Sequence, residues 1–200
     1  MVDQTPRNMA DDAQPAIVSP SKFAHVVLRS SRYEKLVSWY KTLLGARASY
    51  EDDKLAFLTY DDEHHRIAIL NLPGLRDKTE NAVGVDHVAF TYPSLGALLA
   101  TYERLKAEGI EPFWTINHGP TTSLYFRDPD GNQVEFQVEN FSSEAESAAF
   151  FASSAFAENP IGVEFSPEDL TRRLYAGEPE HLLLQRPNNG PRGLDSIPLR

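Results

Sequence analysis

The sequence predicts an α+β fold: two tandem β-α-β-β-β modules forming a half-open β-barrel, followed by a partly helical C-terminal extension. Three observations point to it. A strand, an amphipathic helix and three short strands occur in that order twice. His25 and His87 are separated by the same 62 residues as Tyr40 and Tyr102, the mark of an internal repeat. Each copy is too small to bury a sheet face alone, so two should associate across a common cavity.

The elements follow in order. Residues 1–21 are polar and proline-containing and read as a flexible arm. The first module spans 22–72. "KFAHVVLRS" opens it as a strand, and Leu36, Val37, Tyr40, Leu43 and Leu44 then share one helical face. Ser31 followed by Glu34 is a capping-box pattern, and Gly45 is the stop. Strands are expected near 46–51, 54–60 and 64–71. The second module spans 84–139. "GVDHVAFTY" is its first strand, and Leu98, Leu99, Tyr102 and Leu105 line a helix that Gly109 ends. Strands follow near 111–116, 121–127 and 132–139. In the extension, 140–200, "SSEAESAAFFASSAFA" is helix-prone, and "SPEDLTRRLYAG" has a Ser cap, Pro at the first helical position and a Gly stop. It is expected to wrap the modules or a partner subunit, giving a homo-oligomer, a dimer.

Composition removes several functions. The longest apolar patch, "SAAFFASSAFA", is too short and serine-rich to cross a bilayer, and the N-terminus lacks the apolar core of a secretory signal, so no membrane association is expected. With no cysteine there are no disulfides, thiolate metal sites or cysteine nucleophiles, which fits a cytoplasmic protein. A formal net charge of −10 argues against nucleic acid as a partner. Metal or acid–base chemistry must therefore come from His, Asp, Glu and Tyr.

Strand alternation places those groups. Ala24, Val26 and Leu28 share one face of the first strand and His25 takes the other. His87 lies opposite Val88 and Phe90. In the last strand Val134, Phe136 and Val138 pack, while Gln133, Glu135 and Gln137 face the cavity. His25, His87 and Glu135 thus form a candidate metal site of two imidazoles and one carboxylate, with coordination positions left open. That donor set suits non-haem Fe(II), with Mn(II) as the alternative. The turn "DPDGN" sets Tyr125 and Glu135 at equal distances from Asp130, opposite each other in a hairpin. His118 sits in the loop before that hairpin, where it could close over a substrate. Trp39 and Trp114 read as packing residues. The pair in "DDEHHRIAIL" supplies a candidate acid/base, and alternation alone does not choose between His64 and His65.

The motifs "AHVVL", "HHRIAIL", "DHVAF" and "YFRDPDGNQVEF" resemble those of the type I extradiol ring-cleaving dioxygenases of the vicinal oxygen chelate superfamily, over residues 22–139. The resemblance implies His25, His87 and Glu135 as iron ligands, Tyr125 as the active-site tyrosine and His65 as the catalytic acid/base. It implies a catechol-type aromatic substrate and dioxygen. His118 lies near the place of a further active-site histidine, at a shorter spacing. Many members add two further modules, and a minimal two-module form is expected here. Glyoxalase-like isomerases of the same superfamily carry a carboxylate on the last strand of each module, and the first-module position falls near Ala68. A metal-dependent lyase or isomerase and a metal-free binding protein on the same scaffold are the alternatives.

Overall fold

The computed structural model describes residues 17–79 and 83–198. Of the arm expected over 1–21, residues 1–16 lie outside the described residues, and 17–21 are exposed.

The first module comprises β1 (Val26–Ser30), α1 (Tyr33–Leu44), β2 (Arg47–Glu51), β3 (Leu55–Thr59) and β4 (Ile67–Asn71). Its sheet has the order β1-β4-β3-β2, with β1 and β4 parallel. A parallel pair needs a long crossover, and α1, β2 and β3 supply it. The second module repeats the plan with β5 (His87–Thr91), α2 (Leu95–Ala107), β6 (Trp114–Asn117), β7 (Thr121–Arg127) and β8 (Gln133–Glu139). A fifth strand from the extension, β9 (Val163–Glu164), pairs antiparallel with β6. The registers also correspond: Val27 opposes Ala68 in the first module as Ala89 opposes Glu135 in the second. The sheets are not joined by a hydrogen-bond ladder, and among the described residues no closed barrel forms.

The helices form where apolar residues recur at three- and four-residue spacing. α1 buries Leu36, Val37, Tyr40 and Leu43, and α2 buries Leu95, Leu98, Leu99, Tyr102 and Leu105. Gly45, at φ 61°, takes the left-handed turn that ends α1. The capping box expected at Ser31 does not form. α1 starts at Tyr33, Arg32 holds the cap position, and its amide donates to the buried Ser30 hydroxyl at 2.8 Å. β1 runs through Ser30, so the chain turns into the helix one residue later than the Ser31–Glu34 spacing requires.

Both helices meet the inner faces of both sheets in one core, which includes Leu58, Ile67, Ile69, Leu124, Phe126 and Phe136. Polar contacts fasten the modules beside it. The Tyr40 hydroxyl donates to Asp128 Oδ2 at 3.2 Å, and Arg104 donates to the carbonyls of Thr42 and Leu43 at the C-terminal end of α1, at 2.7 and 3.0 Å. Tyr102, the counterpart of Tyr40, donates to Glu168 in the extension instead.

The extension carries α3 (Glu144–Phe151), α4 (Ser154–Glu158), α5 (Pro167–Tyr175) and α6 (Glu180–Leu183). Ser143, Ser153 and Ser166 cap the first three. Leu170 and Leu183 enter the common core, and the Glu180 carboxylate accepts from the Leu95 and Gly96 amides at the start of α2. No described helix is long and apolar enough to cross a membrane.

Phe136 is fully buried against Phe90, Tyr92 and Phe126. Phe136→Ala should lower unfolding free energy by about 3–5 kcal/mol in a urea titration. A loss under about 1 kcal/mol would contradict this packing.

Candidate active site

The second module builds a row of groups across its sheet. Glu135 sits mid-strand in β8, with Ala89 of β5 on one side and Tyr125 of β7 on the other. The β7–β8 register is set by the turn at 128–132. There the Asp128 carboxylate accepts from the Asp130 and Asn132 amides at 2.9 and 2.8 Å, and Gly131 takes φ 83°.

Glu135 is only 5% exposed, so its charge needs partners. Nε2 of His87 lies 3.0 Å from Oε2, and the Tyr125 hydroxyl lies 2.9 Å from Oε1. His87 Nδ1 donates in turn to Asp86 at 2.7 Å. The Tyr125 hydroxyl also faces His118 Nε2 at 3.0 Å, and His118 Nδ1 donates to the Ile161 carbonyl of the extension. Because a carbonyl only accepts, His118 carries its proton on Nδ1, and Nε2 of the neutral ring is a lone pair. One tyrosine proton therefore lies between two acceptors.

The electrostatics follow from these contacts. The hydrogen bond to Glu135, more than burial opposes it, raises His87 to about 9, and Asp86 adds to the rise. Burial works to raise Glu135, but hydrogen bonds from His87, Ser123 and Tyr125 together hold it below its usual range. Burial depresses His118 and, with Glu135, lifts the Tyr125 phenol well above its usual range.

A cavity of about 180 Å³ opens beside this row. His87, Trp114, His118 and Tyr125 line it from the module, and Pro160, Ile161, Ile197 and Pro198 from the extension. Trp114 packs as read from sequence, its ring centre 4.9 Å from that of Tyr125, and it also forms a wall of the cavity. Trp39 packs against the core.

The first module holds a separate cluster. His25, exposed, stands one residue before β1, with its chain segment tied down by Arg66, which donates to the carbonyls of Phe23 and Ala24 at 2.7 and 3.0 Å. His65 precedes β4, stacks on Phe57 with ring centres 4.4 Å apart, and lies 4.3 Å from the His25 ring. Its Nδ1 meets His64 Nδ1 at 2.6 Å, which leaves Nε2 as the ring nitrogen outside that contact. Burial, then the neighbouring His25 and His64, depress its pKa.

His87, Glu135, Tyr125 and His118 are thus brought together, and His25 lies with His65. Among the described residues no three His, Asp or Glu side chains converge to hold an ion. The donor chemistry nevertheless fits one. His87 and Glu135 face each other across a contact that a cation can replace. Asp86 and Tyr125 orient them from behind, as outer partners orient metal ligands. Of the expected ligand set of two imidazoles and a carboxylate, His87 and Glu135 meet here, and His25 stands in the first-module cluster. Sequence reasoning passed over Asp86, although an acid directly before a strand-leading histidine was a usable signal. Nothing local pointed to Ile161, which reaches His118 across 43 residues.

Residues 22–136 match the Glyoxalase/Bleomycin resistance protein/Dioxygenase superfamily. Biphenyl-2,3-diol 1,2-dioxygenase 2 of Rhodococcus globerulus is 48% identical over 79% of this chain and 84% of its own length. Biphenyl-2,3-diol 1,2-dioxygenase 3 of the same organism is 42% identical over 82% of this chain and 88% of its own. A lactoylglutathione lyase of Haemophilus influenzae is 28% identical over 60% of this chain and 94% of its own. Among solved structures, a glyoxylase/bleomycin resistance protein/dioxygenase domain from Frankia sp. EAN1pec superposes with TM-score 0.51 at 21% identity, over 65% of this chain and 99% of its own, which shows the shared fold.

The His87 shift predicts a pH dependence of the metal-free protein. A folded pKa near 9, above the ordinary 6.5, means that the His87 contribution to stability is fully present below pH 6.5. It is lost as pH rises through about 9. The Tm difference between the parent and a His87→Gln variant should therefore shrink over that range; a constant difference would show that the ion pair adds nothing.

Proposed function

The chain belongs to the glyoxalase/bleomycin resistance protein/dioxygenase superfamily, and we propose that it is a non-haem Fe(II)-dependent extradiol dioxygenase opening the ring of a catechol-type aromatic with O2. The observation that carries this reading is the pair His87 and Glu135, diagonal neighbours on β5 and β8 that meet at 3.0 Å and are oriented from behind by Asp86 and Tyr125. His25, one residue before the corresponding strand of the first module, is the third ligand in this reading. The two biphenyl-2,3-diol dioxygenases support the same chemistry. The register supports three protein ligands rather than the four of a glyoxalase-like isomerase: the position equivalent to Glu135 in the first module is Ala68, which has no donor.

When bound, the ion supplies a Lewis acid that polarises the substrate hydroxyls and a place for dioxygen. The residues of the chain do the rest. His65, whose pKa burial and the neighbouring His25 and His64 lower, takes a substrate hydroxyl proton at Nε2 and later returns it. Tyr125 would turn its single proton from Glu135 to the substrate oxyanion once the carboxylate holds the ion. Trp114 and the prolines of the extension exclude water from the ring. The balance is closed: the ring C–C bond beside the two hydroxyls breaks, both atoms of O2 enter the product, and no external reductant is consumed.

Protein loaded anaerobically with Fe(II) should take up one O2 per catechol and form a yellow semialdehyde product. No uptake with any member of a catechol panel contradicts the reading. His65→Ala should retain iron and lose about 10²–10⁴-fold in kcat; equal loss of iron would assign His65 to the metal instead.

A further inference from the structure

We infer that the C-terminal extension is a working part of the active site, with Arg186 as the positioning residue that sets the ring of His118 through the loop it clasps. The guanidinium donates to three backbone carbonyls, those of His118 at 3.1 Å, Asn159 at 2.8 Å and Ala155 at 2.9 Å, and lies over the Phe150 ring. It has no carboxylate partner among the described residues; its donors are spent on backbone. That is unusual use of a charge that is costly to remove from water. Its effect is to tie the loop bearing His118 to the 155–162 segment.

The same segment presents the group that orients the ring. Asn159, 3% exposed, accepts from the amides of Ile161 and Gly162 at 3.1 and 2.7 Å and so fixes the turn from which the Ile161 carbonyl reaches His118 Nδ1. Gly162, at φ +123°, passes so close that a Cβ would overlap the backbone of Asn117 and His118. Arg186 thus clamps both ends of one hydrogen bond. With Nδ1 committed to a carbonyl, Nε2 is left to face the Tyr125 hydroxyl. A free imidazole favours the opposite tautomer, with the proton on Nε2, so the extension changes what His118 offers to Tyr125.

Only the kinetic arm of the test rests on the dioxygenase reading; the tautomer arm uses metal-free protein and stands without it. In 15N-histidine spectra of the apoprotein, with the His118 signals identified by a His118→Asn variant, the parent should show the Nδ1–H form. Arg186→Met, folded by near-UV circular dichroism, should shift His118 toward the Nε2–H form while the other five histidines stay unchanged. If Arg186→Met does not fold, Arg186→Lys, whose ammonium reaches fewer of the three carbonyls, should give an intermediate shift. On the iron-loaded enzyme, kcat should fall about tenfold with KM within about twofold, as misplacement of a catalytic group predicts. A parent already in the Nε2–H form, or a folded Arg186 variant with unchanged His118 signals, overturns the inference. Absence of dioxygenase activity in the parent, with the tautomer shift intact, would count against the reaction and not against the clasp.

Discussion

A carboxylate buried in the middle of a sheet is the constraint from which the second module follows. Glu135 cannot remain charged there unpartnered, because desolvation costs several kcal/mol. His87 and Tyr125 answer it from the two neighbouring strands. Each partner then needs a partner of its own: Asp86 for the far nitrogen of His87, His118 beside the phenol, and the Ile161 carbonyl for His118. A line of hydrogen bonds thus runs from one edge of the site to the extension. Such a network is rigid only while every member is satisfied, which explains why residues far along the chain are recruited to complete it.

The two modules share a plan and divide its chemistry. At the equivalent register position one holds Glu135 and the other Ala68. The second module therefore has the carboxylate and the phenol, while the first has the acid/base candidate His65, stacked on Phe57 beside His25. The tyrosines of the repeat diverge in the same way. Tyr40 reaches the 128–132 turn and joins the modules, and Tyr102 reaches α5 and anchors the extension. The outer edge strands differ too, since β9 covers β6 and no described strand covers β2.

Much of this was legible in the sequence because it depends on short-range periodicity. The 62-residue offset disclosed the repeat, helical spacing gave the buried faces of α1 and α2, and the "DPDGN" turn implied the Tyr125–Glu135 register. What escaped depends on contacts between distant segments. Trp114 looks like any aromatic in a strand until the extension makes the other wall of its cavity. Arg186 meets His118 across 68 residues, and nothing near it in sequence distinguishes it from a surface arginine. The misjudged cap at Ser31 has a local cause: the pattern admits two helix starts, and the length of β1 chooses between them.

The proposed chemistry requires one ion shared by His25, His87 and Glu135, and binding stoichiometry tests that most directly. Equilibrium dialysis of the metal-free chain against Co(II), a spectroscopic substitute for Fe(II), should give one tight site per chain. His25→Ala, His87→Ala and Glu135→Ala should each weaken it by at least about tenfold, the size expected even for loss of an outer partner of a metal ligand. Undiminished binding in His25→Ala would show that the first module contributes no ligand, and absence of a tight site in the parent protein would contradict the account altogether.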